Sequence, residues 1–116
     1  MGMGETFGAR LKRMRSLRGL GLRETANKVG ISATYLSRIE NNAETSPPSE
    51  EKILKLAEIL EDKFDELMRL AGRVSEEVKD LIKADSEMPT FLRRAKEENM
   101  SGATLLKMLD EKKTKK

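Results

Sequence analysis

The residue types present limit the chemistry before any pattern is considered. The chain has 116 residues with no Cys and no His. Disulfides, thiolate zinc sites and Cys nucleophiles are therefore excluded, and the usual general base of hydrolases is missing. Acids are plentiful, but no carboxylate pair stands out from solvated helix faces, and no glycine loop is built to cradle a phosphate. What remains is recognition chemistry, concentrated in LRETANKVGISATYLSRIE, Leu22 to Glu40. Within it, Ala33, Thr34, Ser37 and Arg38 are small, polar or cationic. Such side chains suit a face that lies against a surface rather than one that fills a core.

Two short helices must position those residues. Leu22, Ala26 and Val29 fall on one helical stripe, and Gly30 interrupts it where a helix end needs a residue tolerant of positive φ. Ser32 is a good N-cap, and Leu36 and Ile39 begin a second stripe. The pattern predicts helices over 22–29 and 33–40. Neither can bury its own apolar face, so the pair needs a partner beneath it.

The combination Ala26, Gly30-Ile31-Ser32, Leu36-Ser37 and Ile39-Glu40-Asn41 resembles, without a gap, the helix-turn-helix of Cro/CI-like (lambda repressor-like, XRE-type) DNA-binding proteins. The likeness runs from about Phe7 to about Gly72. It implies an all-α fold, with a five-helix lambda-repressor-like DNA-binding domain over 5–72 and additional C-terminal helices. By this resemblance, helix 33–40 lies in the major groove. Ala33, Thr34 and Arg38 align with base-reading positions, and Ser37 lies beside them. The Arg38 fork can bridge O6 and N7 of a guanine; a merely solvated charge is the alternative. Ser32 and Asn41 align with phosphate contacts. Tyr35 is a further phosphate candidate, or else a spacer packed against the preceding helix. Gly21 stands where Ser or Thr would cap better, and Leu22 stands where many relatives carry a phosphate-contacting Gln. Arg23 is a longer-reaching replacement for that contact. Glu40 aligns with a residue that pairs with an arginine of the first helix, here Arg15. For a partly exposed pair this is worth roughly 0–1 kcal/mol.

The remaining elements follow from periodicity and turn residues. A first helix is expected from about Glu5 to Leu17 or Arg18, with Phe7, Leu11, Met14 and Leu17 as its apolar stripe. Asn42 to Pro48 reads as a loop, and Asn42 tolerates left-handed backbone. Ser49 caps a fourth helix with Glu50 and Glu51 in its first turn, where the dipole favours acids. A fifth runs from about Phe64 to Ala71, closed by Gly72. Three amphipathic helices are expected over 73–111, starting after Ser75, near Met88-Pro89 and after Ser101. They either extend the core or, as the favoured reading, form a twofold dimerisation region. Residues 112–116 read as a frayed basic tail.

Charge supports this layout. Residues 1–46 hold eight Lys and Arg against four acids, while 47–116 hold fifteen against sixteen. The basic excess thus sits with the helix pair, where phosphate contacts would be needed. No run approaches the ~18 apolar residues of a membrane span. The first residues carry no apolar signal core, so no membrane association and a cytoplasmic location are expected. The Met1-Gly2 myristoylation pattern and the Asn99-Met100-Ser101 sequon are short matches of high chance frequency, not expected to be used. The expected protein is a cofactor-free, non-enzymatic regulator. It would be a repressor that binds double-stranded DNA at a palindromic operator as a homodimer. The alternative is a protein-interaction module or toxin-antitoxin antitoxin on the same fold, taking a protein partner through residues 73–111.

Overall fold

The computed structural model describes residues 4–114, and the secondary structure among them is all helical. The helices are α1 (Phe7–Leu17), α2 (Leu22–Val29), α3 (Ala33–Glu40), α4 (Glu50–Leu60) and α5 (Phe64–Leu70), followed by α6 (Glu76–Ala84), α7 (Met88–Glu97) and α8 (Gly102–Thr114). They divide into two compact units, one through Ser75 and one from Glu76.

The first unit is built on a single core. α1 packs on α3 and α4, α2 packs on α3 and α4, and α5 closes against α4. Leu11, Val29, Leu36, Ile53, Leu56, Leu60 and Leu67 are fully buried at its centre. Local signals set the ends of these helices. Thr6 Oγ1 accepts from Ala9 N at 3.1 Å, so α1 begins at Phe7 rather than Glu5. Ser49 caps α4 through Lys52 N at 3.2 Å. α5 ends at Leu70, one residue early, and Gly72 then takes a left-handed turn with φ 74°. Leu17, expected in the core, is 67% exposed at the end of α1, and Leu20 packs on the core in its place.

Beyond Gly72 the chain returns to the loop between α3 and α4. Arg73 Nε donates to Pro48 O at 2.6 Å and Nη2 to Pro47 O at 3.3 Å. Pro48 is buried and Arg73 half-buried.

In the second unit α6 contacts α7. Ala95 is its one buried side chain among the described residues. Phe91, Leu92, Leu106, Met108 and Leu109 are exposed, and Phe91, Leu105, Met108, Leu109 and Lys112 line an apolar groove. Lys112 and Lys113 belong to α8 rather than to a frayed tail, because the helix continues to Thr114. Lys115, Lys116 and the Met1-Gly2 pattern lie outside the described residues.

Candidate nucleic-acid interface

The geometry of α2 and α3 follows from the turn between them. Gly30 takes φ 88°, and the amides of Gly30 and Ile31 both donate to Ala26 O, at 2.9 and 3.0 Å. That left-handed residue redirects the chain within one step. Ser32 then starts α3, its Oγ accepting from Tyr35 N at 3.0 Å. At the start of α2, Gly21 has no side chain to cap with. Glu24 compensates by reaching back to the Gly21 amide at 3.4 Å.

The inner face of α3 is clamped. Leu36 and Ile39 are buried. Glu40 accepts two bonds from Arg15, Nε to Oε2 at 2.7 Å and Nη2 to Oε1 at 2.9 Å. The remaining Nη1 of Arg15 donates to Leu20 O at 3.0 Å. Glu40 is only 5% exposed and Arg15 16%. The carboxylate is thus buried and the guanidinium half-buried, with both oxygens facing a donor, and disrupting such a pair is more damaging than the small surface value expected from sequence. The bond to Glu40 also raises the Arg15 pKa, so the charge persists at any working pH.

The outer face carries the recognition candidates. Thr34 and Arg38 are exposed, and Ser37 is half-buried. Ala33 and Tyr35 are half-buried and touch the core. Asn41 turns back on its own helix, donating to Ser37 O at 2.9 Å. Arg38 is bound by Glu44, Nε to Oε2 at 2.6 Å. Arg23 stands exposed in the first turn of α2, and Ser32 is exposed at the head of α3. The structure therefore brings Ser32, Ala33, Thr34, Ser37 and Arg38 together along α3, with Arg23 on the neighbouring helix.

Several supports of this face were not read from the sequence. Gly8 is buried where α1 meets the end of α3, and a Cβ there would lie 2.3 Å from Ile39 O. The isolated glycine inside a helical pattern is the signal for that close approach. Asn42, left-handed at φ 56°, accepts from Gly8 N at 3.3 Å and donates to Thr6 Oγ1 at 3.1 Å. Arg10 binds Asp62 through Nε at 2.9 Å and Nη2 at 2.8 Å. Burial disfavours the charged Asp62, but Arg10 and the Lys63 amide outweigh it and hold the carboxyl below its usual range.

Two short helices joined by a tight turn, the second offering a polar face, define a helix-turn-helix protein. A sequence profile of the helix-turn-helix domain family matches residues 8–73, more than half of the chain. The chain belongs to the Cro/CI-like, XRE-type helix-turn-helix family.

It is 39% identical over 72 residues to the HTH-type transcriptional repressor RghR of Bacillus subtilis (strain 168), covering 62% of this chain and 53% of that one. It thus spans about half the length of RghR. To the HTH-type transcriptional regulator SinR of Bacillus licheniformis it is 31% identical over 110 residues, 95% of each chain. Among solved structures, SinR, the master regulator for biofilm formation, in complex with DNA aligns at TM-score 0.50 and 35% identity. That match covers 54% of this chain and 98% of that one. The SinR protein/SinI protein complex aligns at TM-score 0.51 and 30% identity over 93% of this chain and 95% of that one.

Proposed function

We propose that this chain is a DNA-binding transcriptional regulator, a repressor that reads a palindromic operator through α3 as a homodimer. One observation carries the reading. α3 is fixed from beneath by Leu36, Ile39 and the Arg15–Glu40 pair, leaving Thr34, Ser37 and Arg38 on its outer face. A rigid helix with a polar outer face is what reading base edges in the major groove requires. The relatives agree: RghR is a transcriptional repressor, SinR a transcriptional regulator, and SinR is known in complex with DNA. Ala33, Thr34, Ser37 and Arg38 are the base-contacting set. Arg23, Ser32, Tyr35 and Asn41 are the phosphate-contacting set that positions it. Binding is reversible, with no catalytic step and no cofactor.

The helices after residue 73 supply the pairing of two copies, which sets two α3 helices ~34 Å apart on one face of the duplex. Their exposed apolar side chains support this role. A protein partner on the same helices is the second reading, favoured by the SinR/SinI complex, whose likeness extends over nearly the whole chain. Such a regulator acts in the cytoplasm, and among the described residues no helix is long and apolar enough to cross a membrane.

Selection from a random duplex pool, on protein of measured oligomeric state, tests the proposal. An enriched palindrome with half-sites about one helical turn apart is expected. Weak, salt-sensitive binding without enrichment would leave the protein-partner reading in its place.

A further inference from the structure

The Arg38–Glu44 bond is made on one edge of the guanidinium, at Nε, with an Nε–Oε2 distance of 2.6 Å. An arginine can read O6 and N7 of guanine with its two terminal amino groups, Nη1 and Nη2. Glu44 occupies the other edge. It therefore restrains the Nε edge of the guanidinium while leaving a reading fork available. Arg38 remains 57% exposed in this pose, whereas Glu44 is 24% exposed.

Glu44 is itself held in place. Ala43 N donates to Arg38 O at 2.8 Å, which ties the start of the loop to α3. Asn42, one residue earlier, is bound to α1 at both ends of its amide, through Gly8 N and Thr6 Oγ1. The backbone leading into Glu44 is thus tied to α1 and α3 before any DNA arrives. An unrestrained arginine carries a large rotamer entropy, and losing it on binding weakens the complex.

We infer that Glu44 is a positioning residue that sets base preference at the Arg38 contact. It presents the Nη1/Nη2 end of Arg38 toward a G·C pair. As an acid beside the phosphates, it also weakens binding to DNA that lacks that pair. The inference rests on the DNA-binding reading above. A carboxylate that merely competes with DNA for Arg38 has a different signature. Removing a competitor strengthens binding to every sequence and leaves discrimination unchanged. Removing a positioning residue strengthens non-specific binding but weakens discrimination at one base pair.

The test selects sites from one random duplex pool with the full chain, Glu44→Ala, Glu44→Gln, Arg38→Ala and the Arg38→Ala/Glu44→Ala double variant, each checked by thermal melting. Glu44→Ala and Glu44→Gln are expected to enrich the wild-type site with preference at one base pair reduced about tenfold. That pair is the one Arg38→Ala flattens, and adding Glu44→Ala to Arg38→Ala changes nothing further there. Binding to unselected duplex should rise, since a negative charge near phosphates is gone. Full preference retained at that pair, with tighter binding everywhere, would overturn the inference in favour of simple competition. Preference lost evenly at all positions, together with a lowered melting temperature in both Glu44 variants, would overturn it in favour of loop folding. Failure of the wild type to enrich any sequence would remove the DNA-binding reading itself, and this inference with it.

Discussion

Arg15 joins three parts of the chain through one side chain: α1, the Leu20 carbonyl and the Glu40 carboxylate on α3. Replacing Glu40 with Ala strands a guanidinium that is 16% exposed. The loss should be about 3 kcal/mol, read as the shift of a urea unfolding midpoint at constant slope. Thr25 presents the opposite case. Its side chain is buried and its hydroxyl has no partner. Thr25→Val should therefore stabilise the fold by about 1 kcal/mol in the same assay. On the outer face, Arg38→Ala should lose about 1–3 kcal/mol on the selected site and relax one base pair. At this scale the sequence was informative where a motif fixes the neighbours. The Arg15–Glu40 pair and the α3 face followed from a gapless resemblance. The Arg10–Asp62 bond did not, because the two residues lie far apart in sequence and neither stands in a periodic pattern. Thr25 also passed unnoticed, since a hydroxyl beside an apolar stripe does not reveal that it is buried.

The elements were more legible than their contacts. Gly30, Ser32, Ser49 and Gly72 act on their immediate neighbours, so the limits of α2, α3 and α4 could be read from a few residues each. Leu17 shows the limit of that reading: a helical stripe identifies the apolar face, but which residue at a helix end meets the core, here Leu20, is decided by the turn that follows. The seam between α1 and α3 makes the same point with Gly8. A methyl group at that position would lie 2.3 Å from Ile39 O, so backbone must move. Gly8→Ala should cost about 1–3 kcal/mol despite its better helix propensity, measured by thermal melting. The seam between α1 and the chain after α4 depends on pH. The folded Asp62 carboxyl titrates below its free-chain value. It therefore favours the folded state above about pH 4, and that contribution fades as pH falls through the lower folded value. Asp62→Asn should be less stable than the parent at neutral pH, with the gap narrowing on acidification. A gap independent of pH would show that the charge plays no part.

Across the molecule, most of the cations near the N-terminus prove to be paired. Arg10, Arg13, Arg15, Arg18, Lys28 and Arg38 each pair with an acid. Charge counting located the right unit but could not separate cations that hold the fold from those offered to phosphates, because pairing is a property of the assembled surface. Arg23 is exposed and outside these pairs. Arg23→Ala should weaken binding evenly across sequences and reduce the slope of log K against log salt by about one. The proposed pairing of two copies falls to the second unit. Leu109, 58% exposed beside the apolar groove, is the residue to charge. Leu109→Asp should lower the sedimenting mass from two copies to one while leaving the helicity of the first unit intact. The grip of Arg73 on the Pro47 and Pro48 carbonyls has a consequence for how the chain is cut. Trypsin must draw an arginine side chain into its own pocket, and this one is half-buried and already committed to two carbonyl oxygens. Under native conditions the Arg73-Val74 bond should outlast the bonds after Lys79 and Lys83 in α6, a helix with no buried side chain among the described residues. Mass spectrometry of a timed digest would then record a resistant N-terminal fragment whose end lies beyond Arg73, and the delay before that end recedes to Arg73 itself would report how often the first unit lets go of its last turn.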